Sequence, residues 1–256
     1  MPKNNNVIDY LINRHSQRSM TYEPINEEDM ELISQAMNAA PTSANKFDAT
    51  AIIITNQDIK EEMYRRIDNP TQEHYLTSSA LIVFFADINR GRKAAQMIGT
   101  KPEFNTLDNL LNSWGDAFIM AQNAVIAAES LGYGTVFLGG IRHFDFPWLL
   151  QERFNLPKNL FPVIAIAIGK NKEPAIHRPR LNRVYWNGYS LEKVEKEVEE
   201  FNEEEKKFWE SQGKTQDWVG HIAKYYTVDP TAIYQEYLRN IYDPDKDKNR
   251  KIPSST

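Results

Sequence analysis

The chain has 256 residues, 41% of them hydrophobic, which is enough for the core of one large domain. Its net charge of −5 argues against nucleic acid or an anionic membrane surface as a partner. The absence of cysteine excludes disulfides, thiolate metal sites and cysteine nucleophiles.

The N-terminal residues and the apolar runs bear on where the protein works. Residues 1–7 are polar and lack the apolar stretch of a secretory signal. The longest apolar run, residues 80–86, has the length of a strand and is too short to span a bilayer. We therefore expect a cytoplasmic protein without a membrane partner.

The first half of the chain alternates helical and β-branched segments. In chain order we predict helices at residues 7–13, 26–40 and 58–67 and buried strands at 51–54 and 81–86. Asn26 is expected to cap the second helix, and Pro41 is expected to stop it. Residues 89–105 are basic and contain glycine and proline, so they are predicted to form an irregular surface loop.

The second half contains the strongest helical pattern. Thr106 opens a helix that is apolar on two faces and is expected at the centre of the fold or of a dimer, and Gly132 should end it. Further along the chain we predict strands at 135–138 and 163–168 and helices at 148–154, 191–210, 218–226 and 231–242.

These elements predict an α+β domain with a sheet of four or five strands under several helices. The pattern changes after Gly169, where an aperiodic stretch leads into charged helices. We predict a core at residues 1–189, a helical C-terminal excursion at 190–242 and a disordered tail at 243–256.

No standard motif identifies the chemistry. The chain lacks a Walker A sequence, a histidine pair with the spacing of a metal-binding helix and a Gly-x-Ser-x-Gly sequence. Gly132-Tyr133-Gly134 begins like a dinucleotide fingerprint, but Phe137 takes the place of the third glycine. We therefore predict no metal site and no Rossmann fold.

Four separate clusters have the composition of phosphate- or ring-binding segments. They are Arg14-His15-Ser16-Gln17-Arg18, Pro41-Thr42-Ser43-Ala44-Asn45, Gly139-Gly140-Ile141-Arg142 and His177-Arg178-Pro179-Arg180. Guanidinium and hydroxyl groups suit a phosphate, and paired glycines let the backbone approach a flat ligand. Each cluster alone also fits an ordinary solvated turn, so the functional interpretation depends on their order along the chain.

In that order, the clusters resemble the nitroreductase superfamily, most closely its branch of oxygen-insensitive NADPH nitroreductases and NADPH–FMN oxidoreductases. The most specific stretch is residues 116–142, DAFIMAQNAVIAAESLGYGTVFLGGIR. The resemblance implies a nitroreductase-like fold with a central mixed, mostly antiparallel sheet flanked by helices. It also implies an intertwined homodimer with one FMN at each of two subunit interfaces.

The resemblance assigns cofactor contacts to individual residues. They are Arg14, His15, Ser16, Arg18, Ser43, Gln72, His74, Gly139, Gly140, Arg178 and Arg180. The first cluster would hold the FMN phosphate and pyrimidine edge, the last two arginines would hold the phosphate, and Ser43 would come from the partner chain. The paired glycines would offer N–H groups to flavin N5 and O4, and Gln72 and His74 match the family's Gln-x-Tyr ligands in part. Arg18 is the candidate for stabilising negative charge at flavin N1 and O2.

The sequence departs from the family pattern at three places. One is the loop after Ser43, where Ala44-Asn45 stands in place of the serine and aromatic residue of closer relatives. The family usually reads His-Arg where this chain has Arg14-His15. Relatives specific for NADPH carry several arginines near residues 212–217, where only Lys214 is basic here. Because a 2′-phosphate favours a guanidinium fork, the electron donor is left open between NADPH and NADH.

The implied function is that of an FMN-dependent NAD(P)H oxidoreductase. Hydride transfer through flavin N5 would serve nitroaromatic, quinone or flavin acceptors by a ping-pong mechanism. Two alternatives on the same fold stay open, a reductive dehalogenase-like enzyme and a non-catalytic flavin-binding regulator. A globular α+β protein without flavin would require four coincidental clusters.

Overall fold

The computed structural model describes residues 6–101, 103–157, 159–174 and 176–229. Its helices are α1 (Asn6–Asn13), α2 (Glu27–Asn38), α3 (Gln57–Ile67), α4 (His74–Thr77), α5 (Asn89–Met97), α6 (Leu107–Ser130), α7 (Phe146–Phe154), α8 (Leu191–Ser211) and α9 (Trp218–Ala223). Its strands are β1 (Ala49–Ile54), β2 (Ala80–Ala86), β3 (Gly134–Leu138) and β4 (Phe161–Gly169). The helix predicted at 231–242 and the tail predicted at 243–256 lie outside the described residues.

The four strands form one sheet in the order β1-β2-β4-β3, and each described pairing is antiparallel. Val83 of β2 pairs with Ile52 of β1 on one side and with Ala165 of β4 on the other. The predicted α+β fold with a mostly antiparallel sheet of four to five strands is thereby confirmed. One detail was wrong: the strand predicted as buried at 51–54 is the edge strand β1, of which only Ile54 is buried.

Two hydrophobic clusters cover the two faces of the sheet because side chains alternate along β2. Leu81, Val83 and Phe85 belong to the first cluster, with residues from α3 and α7. Ile82 and Phe84 belong to the second, with residues from α2 and α6. Strands β2 and β4 are consequently buried along their whole lengths.

Helix α6 has the central position that the sequence predicts. The Thr106 side chain accepts a hydrogen bond from Asn109 N at 3.2 Å, and Gly132 follows the helix with a φ of 89°. The buried apolar residues of α6 are Ala117, Ala121, Ala124, Val125 and Ala128. Such small side chains let the helix lie close to the sheet.

Residues 89–105 differ from the prediction because α5 occupies Asn89–Met97. The helix begins where Asp87 accepts hydrogen bonds from the backbone N–H and the side chain of Asn89, at 3.0 and 2.8 Å. It has no buried residue, so it lacks the apolar period by which a helix is recognised in sequence. Within the helix, the Arg92 guanidinium lies 5.8 Å from the centre of the Phe104 ring.

Residues 176–229 form a compact unit of their own, separate from the unit that contains the sheet. In this second unit, Phe201 of α8 packs edge-on against Trp218 of α9 at 5.6 Å. The predicted boundary at residue 189 and the disordered tail stay predictions. Within the described ranges, no helix has the length and apolar character needed to cross a membrane.

Candidate functional site

The segment from Arg14 to Arg18 lies beside β3 because Gln17 holds it there. The Gln17 backbone N–H donates to Thr135 O at 2.8 Å. Its buried side chain donates to Glu173 O at 2.7 Å. The backbone of Gln17 therefore helps to fix the first predicted cluster to β3, and the adjacent Arg18 is exposed.

The Arg14 guanidinium is engaged within the protein. Its Nε lies 3.1 Å from Glu129 Oε1, and its Nη2 donates to the Thr135 hydroxyl at 3.3 Å. Glu129 is a buried carboxylate near the end of α6, and it also accepts from the Thr135 hydroxyl. Arg14 and Glu129 line a cleft of about 250 Å³ together with Tyr10 and His15. Arg14 therefore joins the end of α1 to α6 and β3.

His74 and Arg18, from separate parts of the sequence, lie near each other. Burial, and then the positive charge of Arg18, lowers the pKa of His74 from 6.5 to about 4. The His74 Nδ1 atom is buried and has no hydrogen-bond partner among the described residues. Gln72 lies half-buried in a short turn directly before α4.

Gly139 and Gly140 open a tight turn directly after β3. A Cβ atom at Gly140 would lie 3.3 Å from the hydroxyl oxygen of Tyr75, and one at Gly139 would lie 3.5 Å from Arg142 Nη2. The Arg142 guanidinium donates to Val163 O, which ties the turn to β4. The turn is therefore framed by Arg142, the last residue of the third predicted cluster, and by Tyr75, to which the sequence assigned no role.

The loop that carries Ser43 is organised by one buried carboxylate. Asp116 of α6 accepts hydrogen bonds from the Thr42 hydroxyl, from Ser43 N at 3.1 Å and from Asp48 N at 3.2 Å. The loop contains three non-glycine residues with positive φ, namely Ala44, Asn45 and Phe47. A conformation of this kind persists only when its surroundings hold it, and Asp116 supplies that constraint.

The unit of residues 176–229 contains the remaining predicted residues. Arg178 and Trp209 both donate to Glu205 Oε2, at 2.9 and 2.8 Å. The Arg178 guanidinium lies 4.8 Å from the centre of the Trp209 ring, and the Lys214 ammonium lies 5.1 Å from it. Arg180 is exposed. The side chains of Arg178 and Lys214 therefore both lie against the indole ring of Trp209.

Residues 11–170 match the profile of the nitroreductase family. The chain belongs to the nitroreductase family. The predicted family is thereby confirmed, and the predicted roles of individual site residues stay predictions.

Several relatives match this nitroreductase over most of its length. It is 30% identical over 225 residues to a Cr(VI) reductase from Pseudomonas sp. strain G-1, covering 86% of this chain and 91% of that protein. It is 29% identical over 248 residues to an FMN reductase (NAD(P)H) from Bacillus subtilis strain 168, covering 93% and 96%. It is similar to the structure of the hypothetical oxidoreductase YcnD from Bacillus subtilis, with a TM-score of 0.86, 28% identity and coverage of 93% and 97%.

Asp116→Ala is expected to loosen the Ser43 loop of this nitroreductase. The change leaves two backbone N–H groups and the Thr42 hydroxyl without their acceptor, so the free energy of unfolding should fall by roughly 2–4 kcal/mol. Urea unfolding at fixed protein concentration measures that loss, and limited proteolysis should show new cleavage within residues 42–48. Asp108→Ala, on an exposed face of the same helix, is the control. Equal protease resistance of the two variants would contradict the assigned role.

His74 is expected to make stability depend on pH. The folded state keeps the imidazole neutral while the unfolded chain takes up a proton below pH 6.5, so stability should fall from pH 6.5 to about 4 and then level off. This shift in the pKa of His74 corresponds to a loss of about 3 kcal/mol in the free energy of unfolding once the pH is below 4. Urea unfolding midpoints at several pH values should fall less steeply in His74→Gln than in the wild type or in the exposed-site variant His221→Gln. An unchanged slope in His74→Gln would remove His74 as the cause.

Proposed function

We propose that this nitroreductase is an FMN-dependent oxidoreductase that takes electrons from NADPH or NADH and passes them in pairs to nitroaromatic, quinone or flavin acceptors. The observation that carries the proposal is the proximity of Arg18 to His74, together with the reach of the adjacent Tyr75 to the Gly139-Gly140 turn, in a chain of this family. The names of the FMN reductase and the Cr(VI) reductase among its relatives support the same class of reaction.

Three features of the structure fit FMN. His74 carries a buried ring nitrogen without a partner among the described residues, which suits a polar ligand edge. The Gly139-Gly140 turn leaves space in which a side chain would press on Tyr75. The exposed Arg18 adds a cation that suits an anionic cofactor.

When bound, FMN supplies the redox chemistry by accepting a hydride and returning two electrons. The protein holds and orients it. Arg18 balances negative charge on the pyrimidine side, because a fixed cation favours the reduced cofactor. The paired glycines present their backbone to the ring, and Arg14, His15 and Ser16 hold the phosphate end.

A homodimer accounts for the apolar surface that the single chain exposes. Val7 and Ile12 of α1 are 58% and 59% exposed, and Leu107 and Leu111 of α6 are 70% and 61% exposed. Apolar surface on this scale marks an interaction surface. A second copy of the chain would cover it and bring Ser43 to the partner's flavin.

The proposed function predicts a yellow protein whose flavin is reduced by a nicotinamide nucleotide. The visible spectrum of the purified protein should show the bands of oxidised FMN, and those bands should bleach when NADPH or NADH is added without oxygen. A colourless protein that also ignores added FMN would contradict the proposal. A yellow protein that neither nucleotide reduces would favour a dehalogenase-like enzyme or a flavin-binding regulator instead.

Arg18→Gln provides the matched variant for this test. Loss of the cation should slow flavin reduction by about ten- to a hundredfold in stopped-flow measurements. Arg65→Gln removes an exposed arginine of α3 and should leave the rate unchanged.

Lys214 is expected to bias the enzyme toward NADPH. Contact with Trp209 restricts the lysine side chain, so less conformational entropy is lost when it binds a 2′-phosphate. Lys214→Met should raise the KM for NADPH by roughly three- to tenfold and leave the KM for NADH nearly unchanged. Lys207→Met, an exposed lysine of α8, is the control. Equal effects on both nucleotides would remove Lys214 from the phosphate site.

A further inference from the structure

Tyr75 is a buried tyrosine whose hydroxyl lies at the Gly139-Gly140 turn. The residue is 2% exposed, and its ring lies 5.5 Å from that of His74 and 6.0 Å from that of Phe146. Its oxygen is the atom nearest to the position that a Cβ at Gly140 would occupy, at 3.3 Å. The body of the side chain therefore belongs to the core, and its polar end reaches the turn.

The Tyr75 hydroxyl makes no hydrogen bond to any of the described residues, and its oxygen keeps some access to solvent. Buried tyrosines usually give their hydroxyl a partner. Tyr133, by contrast, donates to Asp29 at 2.7 Å. The Tyr75 hydroxyl lacks such a protein partner and lies at the edge of the turn. Its hydrogen-bond partner is therefore expected to be a ligand.

The charge state of Tyr75 suits a donor. Burial raises the pKa of the phenol well above its usual 10, and the positive charge of Arg142 only partly opposes this effect. The hydroxyl therefore keeps its proton at every pH at which the protein works. It can donate a hydrogen bond to an acceptor on a ligand, but it cannot supply a negative charge.

We propose that the Tyr75 hydroxyl is a cofactor-contacting group, which donates a hydrogen bond to the flavin bound at the Gly139-Gly140 turn. A Cβ at Gly140 would lie 3.3 Å from that hydroxyl, so a side chain there would fit only if the Tyr75 hydroxyl shifted. The inference rests on the proposed function, since it takes the turn to be the place of the flavin. The competing explanation is that Tyr75 only fills the core.

Tyr75→Phe removes the hydroxyl and keeps the ring, so it separates these explanations. Loss of one donor should raise the FMN dissociation constant about three- to tenfold and shift the visible bands of the bound flavin. The flavin midpoint potential should also fall, because the donor favours the electron-rich reduced form. Tyr64→Phe is the control, since Tyr64 is a partly buried tyrosine that packs against the same hydrophobic cluster. Unchanged affinity, spectrum and potential in Tyr75→Phe would overturn the proposal.

A second experiment tests the contact between Tyr75 and Gly140. Gly140→Ala should weaken FMN binding, and Tyr75→Phe in the same chain should restore part of it, because the atom that the new methyl group meets is removed. Gly139→Ala should show no such coupling, since its Cβ would meet only Arg142, at an ordinary 3.5 Å. Purely additive effects of Gly140→Ala and Tyr75→Phe would also overturn the proposal.

The wild-type protein distinguishes failure of this inference from failure of the proposed function. A wild type that binds FMN and oxidises a nicotinamide, together with a Tyr75→Phe variant that matches it in all three flavin measurements, removes only the role of Tyr75. A wild type that binds no FMN removes the proposed function and this inference with it.

Discussion

The close packing of α6 on the sheet is the constraint on which the candidate site depends. The helix approaches β2 and β4 through small residues, and it also carries two buried carboxylates, Asp116 and Glu129. At about 1.5 Å per residue, they lie roughly 20 Å apart along the helix. Each binds a different segment: Asp116 binds the Ser43 loop, and Glu129 binds Arg14. One helix therefore sets the positions of two predicted cofactor segments that are distant in sequence.

The two carboxylates also explain why these segments have defined conformations. A buried carboxylate is stable only when hydrogen-bond donors or a cation surround it. Asp116 accepts hydrogen bonds from the strained loop around Ala44. Glu129 pairs with the Arg14 guanidinium and accepts a hydrogen bond from the Thr135 hydroxyl. The cost of leaving either acid unpaired opposes any other arrangement of the segment. Part of what the sequence suggests as ligand-binding chemistry in Arg14 thus serves the protein's own structure.

The features that the sequence predicted well are local ones. The cap at Thr106 and the left-handed Gly132 depend on residues within a few positions, and the period of α6 is visible along the chain. Helix α5 escaped prediction because it buries no face, and the edge position of β1 depends on strand order, which no local pattern encodes. Asp116 lies in the stretch that resembles the family most specifically, but the sequence predicted no role for it. Its hydrogen-bond partners in the Ser43 loop are about 70 residues away in the chain. Tyr75 gave no signal at all, since a lone aromatic residue near a buried strand is indistinguishable from core.

The second unit shows that two residues with separate predicted roles share one environment. Gly213, with a φ of 71°, turns the chain after α8 so that Lys214 N donates to Trp209 O at 2.9 Å. That turn brings the Lys214 ammonium to the ring on which Arg178 also lies. Two like charges near one indole repel each other, and Glu205 offsets the repulsion by pairing with Arg178. Arg178, Lys214 and Glu205 therefore form one electrostatic group around the Trp209 ring, in which a change of charge at one cation affects the other.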